Sequence, residues 1–270
     1  MTTMADYDPK QDIVTFDHPP LNEVAIGIGF DPIPGFSTVE GGRFWGEVAE
    51  EYPNSEIAPP IPVSGMGTIQ FSTTPTGRII LRNLNRTKIL QIQDSWFFFN
   101  WVKASDSQEY PRYASVYESF KSSFEKFLTY LDHRGHPRPA VMNQKRLTYV
   151  NYLPKSGWRT PDEITRFLPD LFSTWSQHKF VPSLKNFSLK FTTSFENGVG
   201  DLEVSVRNGI IPGKSEEMIV FELTVLSPPE QRELSSLDDW FGKARSIIVQ
   251  SFIDLTSDFA HEKWGLRRDD

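Results

Sequence analysis

Gln91, Gln93, Asp94 and Asn100 crowd into one short stretch, with Trp101 beside the last of them. Gln91 and Gln93 alternate with the apolar Leu90 and Ile92. Alternate residues of a strand share a face, so both amides project to the same side. Each carboxamide offers N–H donors and a carbonyl acceptor. Amides set out on a sheet in this way can hold a polar ligand, or the backbone of a partner, by directed hydrogen bonds. The same pattern also suits a solvated polar face or a buried amide network. Gln91, Gln93, Asp94, Asn100 and Trp101 are therefore the candidate binding residues.

No other combination of side chains reaches a recognisable chemistry. His18 follows Asp17, but neighbours on an extended segment point apart. His133 and His136 have an H-x-x-H spacing on a Gly/Pro-broken link, and a metal needs further ligands in fixed geometry. His178 and His261 are isolated, and His261 suits a helix C-terminus, where a cation meets the dipole. Ser64-Gly65-Met66-Gly67 is not a nucleophile elbow. Gly27 and Gly29 are not a dinucleotide fingerprint, because no helix opens directly after them. The chain has no cysteine, which removes disulfides, thiolate metal sites and cysteine nucleophiles. The expectation is thus no catalytic residues, no metal and no cofactor.

The elements that must position the amides follow from periodicity. Val24, Ile26, Ile28 and Phe30 alternate as in a half-buried strand, and the intervening glycines let something lie close on the other face. Residues Thr38 to Tyr52 read as a short helix stopped by Pro53, and the proline-rich stretch 54–65 as a loop. Strands are expected at Thr68–Thr73, Arg78–Leu84, Lys88–Gln93 and Trp96–Val102, paired as antiparallel hairpins. A long helix opens at Tyr110-Pro111 and runs to Gly135, with Val116, Phe120, Phe124, Phe127 and Leu131 on one stripe.

The second half repeats the order. A strand is expected at Arg146–Leu153, and a helix opens at the capping box Thr160 to Glu163. Strands follow at Asn186–Phe195, Asp201–Arg207 and Met218–Leu226, then a last helix from Ser235 or Ser236 to Phe259. The expected fold is α+β: two similar β-α-β(3–4)-α halves whose antiparallel sheets pack on long helices. The halves span residues 16–135 and 144–266, after a flexible polar terminus over 1–15. This order of elements resembles TATA-binding-protein-like and helix-grip arrangements, and such a likeness carries no function with it.

Several strings resemble a sporadically distributed bacterial family of uncharacterised proteins of about this length. They are Pro19-Pro20-Leu21-Asn22-Glu23-Val24, Leu90-Gln91-Ile92-Gln93-Asp94, Asn100-Trp101 followed by Tyr110-Pro111, Leu147-Thr148-Tyr149-Val150-Asn151 and Trp264-Gly265-Leu266. The resemblance spans most of the chain and implies one functional unit. It brings no activity and no catalytic residues. The family's patchy distribution resembles that of mobile antiviral-defence and toxin–antitoxin genes.

Partners are bounded by charge. The formal net charge is −7, and an acidic surface repels nucleic acid. A local exception would be the basic link Arg134, Arg138, Lys145 and Arg146, whose Gly and Pro residues read as a solvated connection. No apolar run is long enough to span a bilayer and the first residues carry no signal region, so a cytoplasmic location is expected. Taken together, the expectation is a non-enzymatic protein-interaction or adaptor component of a bacterial antiviral-defence or toxin–antitoxin system. Its expected partner is another protein, encoded nearby. The alternatives are a small-ligand-binding helix-grip protein, and a hydrolase or nuclease using Asp94, Glu23 or His18.

Overall fold

The structure is a computed structural model that describes residues 14–61, 77–105, 107–154, 164, 166–169, 186–195, 198–210, 216–228 and 237–268. Within them the chain is α+β. Its strands are β1 (Val14–Phe16), β2 (Leu21–Phe30), β3 (Asn54–Ala58), β4 (Arg78–Arg82), β5 (Lys88–Gln93), β6 (Trp96–Val102), β7 (Met142–Pro154), β8 (Ser188–Phe195), β9 (Gly200–Ile210), β10 (Glu217–Leu226) and β11 (Leu266–Arg268). Its helices are α1 (Thr38–Val48), α2 (Arg112–His133), α3 (Leu237–Leu255) and α4 (Asp258–Trp264). One sheet has the strand order β3-β4-β5-β6-β2-β7-β10-β9-β8, and a two-stranded sheet pairs β1 with β11. From β2 outward the order is β6, β5, β4, β3; from β7 outward it is β10, β9, β8. The strand expected at Thr68–Thr73 lies outside the described residues, as does most of the helix expected to open at Thr160, of which Ile164, Phe167 and Leu168 are described and buried.

The chain forms two compact units. One comprises Glu23–Thr148 with Leu226–Ser236, the other Met1–Asn22, Tyr149–Val225 and Leu237–Asp270. Strand β7 contributes to both.

In the Glu23–Thr148 unit, β6 is bracketed by β5 and β2, with Leu90 opposite Phe99 and Ile28 opposite Phe97. Period-two alternation sends Phe97, Phe99 and Trp101 to the face that α2 covers. The Phe97 ring lies 5.2 Å from Phe124 and 5.4 Å from Phe127, centroid to centroid. Phe30 of β2 and Phe44 of α1 meet the same Phe127. The stripe at three- and four-residue spacing on α2 is therefore the helix side of this core. Trp96 and Phe98 point the other way and stack on each other at 5.0 Å. They lie against Gly29 and Gly27 of β2. A Cβ on Gly27 would fall 2.1 Å from the Phe98 ring, and one on Gly29 would fall 3.0 Å from Trp96. Those glycines are what lets two aromatic rings lie flat on the strand.

In the other unit, Phe16 of β1 contacts Phe252 of α3 and Trp264 of α4, and Trp264 stacks on Phe167. Trp240 of α3 donates its indole N–H to the Val199 carbonyl at 2.9 Å. The β8–β9 hairpin pairs Phe195 with Gly200.

Four local differences from the sequence reading have simple causes. Asn54–Ala58 is a strand and not a loop: among the described residues it pairs only with β4, and its residues are mostly exposed, so no apolar period marks it. The first helix ends at Val48, with Tyr52 reached through a turn. The last helix is broken at Thr256 and Ser257. The Thr256 hydroxyl donates back to the Phe252 carbonyl at 2.6 Å, and Ser257 caps α4 by accepting from the Ala260 N–H. Finally, Val14 and Thr15, read as part of a flexible terminus, are paired with Arg268 and Arg267 of β11.

Candidate functional site

The face of β4, β5, β6 and β2 turned away from α2 carries a diagonal line of polar side chains among largely buried residues. The strand register pairs Ile80 with Gln91 and Ala25 with Asn100, so Arg78, Gln91, Asn100 and Glu23 share one face by alternation. The Arg78 guanidinium donates to Gln91 Oε1 at 2.8 Å. Gln91 Nε2 donates to Asn100 Oδ1 at 2.9 Å, and Asn100 Nδ2 donates to Glu23 Oε1. A cation at one end and a carboxylate at the other fix both amide orientations, because each acceptor must face the donor of its neighbour. Asn100 is 4% exposed, whereas Gln91 and Arg78 are half-buried. Burial pulls the Arg78 guanidinium below its ordinary value. The nearby Glu56 carboxylate opposes that effect, and the Arg78 Nε is buried without a hydrogen-bond partner among the described residues.

Gln93 lies on the same face as Gln91 but does different work. Its Oε1 accepts the Ile61 N–H at 2.8 Å, and its Nε2 donates to the Ile61 carbonyl and the Ser95 hydroxyl, each at 3.0 Å. One side chain thus grips both polar groups of a passing peptide, much as a neighbouring strand would. Asp94 stands in the β5–β6 turn, where its carboxylate accepts from the Ser95 hydroxyl and its carbonyl from the Ile33 N–H. Trp101 is separated from the rest: it faces α2 and packs on Tyr110 at 5.2 Å. The structure therefore brings Gln91, Gln93 and Asn100 together on one face, leaves Asp94 at its end and sends Trp101 to the opposite face. Sequence reasoning missed Arg78 as a member of this group and saw Glu23 only as a separate acid. Both join through the register of β4 and β2 against their neighbours, which no local spacing encodes.

A second polar cluster ties α1 to the end of α2. Glu40 is buried, and Tyr130 donates to its Oε2 at 2.7 Å and to its backbone carbonyl at 2.9 Å. Arg43, Arg134 and His136 also approach the carboxylate. The Tyr130 hydrogen bond, helped by the arginines against the opposing effect of burial, holds the Glu40 carboxyl down at about 2, from an ordinary 4.5. Burial and then Glu40 push the Tyr130 phenol up. The histidines at H-x-x-H spacing part company here: His133 is exposed, while His136 turns in towards Glu40 and the Pro34 carbonyl. Among the described residues no group of three or more His, Asp or Glu side chains is set to hold a metal.

Two further acid-containing contacts among the described residues are local. Asp17 pairs with Arg267 at 2.8 Å across β1 and β11. The Thr256 hydroxyl, His261 and Asp258 form a line, with 2.9 Å from Oγ1 to Nε2 and 3.7 Å from Nδ1 to the carboxylate. That line resembles a nucleophile–base–acid set, but the Thr256 proton is already given to the Phe252 carbonyl. His261 then has no hydroxyl proton to take, and the contact works as a helix joint. The basic link does not form one exposed patch. Lys145 is fully buried in β7, Arg134 engages Glu40, and Arg138 pairs with Asp132 and Glu125. No protein-family model matches the chain, and no curated protein matches it.

Proposed function

We propose that this chain is a non-enzymatic interaction or adaptor protein that meets its partner around the half-buried Arg78 and Gln91, serving a bacterial antiviral-defence or toxin–antitoxin locus. The observation that carries this reading is the Arg78–Gln91–Asn100–Glu23 line. It is a rigid, directional set of hydrogen-bonding groups built across four strands. Its charged ends are spent on orienting amides, which is the arrangement of a recognition surface and not of an acid–base pair. The space between this sheet and α2 holds the rings of Phe30, Phe97, Phe120, Phe124 and Phe127, which weighs against a ligand cavity of helix-grip type there. Glu23 is engaged by Asn100 and Asp94 by Ser95, which weighs against either as a hydrolytic base.

Co-expression of the full chain with each neighbouring gene product tests the reading by size-exclusion chromatography with light scattering. The expected result is a stoichiometric complex with one of them that Arg78→Glu disrupts. A strictly monomeric chain that engages none of the products would overturn it.

A further inference from the structure

We draw no further inference here: the strongest candidate, the side-chain cluster on the face of β4 and β6 turned away from α2, where Arg78 Nε and Trp96 Nε1 are buried without a hydrogen-bond partner among the described residues, carries nothing because nothing in the structure shows what covers that face.

Discussion

Asn100 cannot turn its amide over without facing like against like at both ends. Gln91 Nε2 presents a donor to its oxygen, and Glu23 presents an acceptor to its nitrogen. Asn100→Asp would keep the shape and place a carboxylate against Glu23 on a side chain that is 4% exposed. We expect a loss of about 2 kcal/mol or more in urea unfolding at neutral pH, shrinking in acid as the pair takes up a proton. Glu40 makes a second residue-scale case, with the sign set by linkage. Its folded-state carboxyl titrates at about 2, below the ordinary 4.5 of the unfolded chain. The carboxylate contacts therefore stabilise the fold fully above the unfolded value and are lost as pH falls from about 4.5 towards 2. Glu40→Gln should lower stability at pH 7 and flatten its decline through that window, measured by denaturant titration at each pH. An equally steep decline in the variant would show that other carboxylates govern acid unfolding.

At the scale of elements, two glycines in different settings should respond in opposite ways. Gly27 faces the Phe98 ring, with 2.1 Å to the position of an added Cβ. Gly27→Ala must displace a buried ring, and overpacking of this kind costs about 1–3 kcal/mol. Gly46 lies within α1 with nothing within 4 Å of an added Cβ. Gly46→Ala should stabilise by about 0.5–1 kcal/mol through helix propensity and reduced unfolded-state entropy. Thermal melts of the two variants decide both signs. The joining of β1 to β11 makes a third case. Removing residues after Gly265 takes away the partners of Val14, Thr15 and Phe16 and the Asp17–Arg267 pair. Amide exchange in β1 should then rise to the rate of a frayed end, while the amides of β5 and β6 in the Glu23–Thr148 unit keep their protection.

For the molecule as a whole, charge and burial act in the same direction. The formal charge is −7, and of the basic link Lys145 lies inside the protein while Arg134 and Arg138 are already paired with acids. Duplex DNA should therefore show no saturable binding in anisotropy at about 0.1 M salt, where phosphate contacts are already weakened. No helix of the described residues is long and apolar enough to cross a membrane. Much of the α+β organisation was legible in periodicity. Val24 to Phe30 reads as a strand because its alternation is strict, and α2 reads as a helix because Phe120, Phe124 and Phe127 repeat at helical spacing. Strand β3 left no such trace, since exposed edge residues are free of the apolar period. The break before α4 was overlooked because the apolar stripe continues to Phe259, although Ser257-Asp258 is a capping signal.

Residue order alone puts Gln91 and Gln93 on one face, makes the glycines between Ala25 and Phe30 a place of close contact, and gives α2 an apolar side. These are local matters of period and side-chain type. Strand pairing is what sets Arg78 and Glu23 at the two ends of the line, commits Gln93 to Ile61, and turns Trp101 to the other face. Strand register is a long-range choice, made by the summed packing of β6 between β5 and β2, and a slip of one residue would send every one of these side chains to the opposite face.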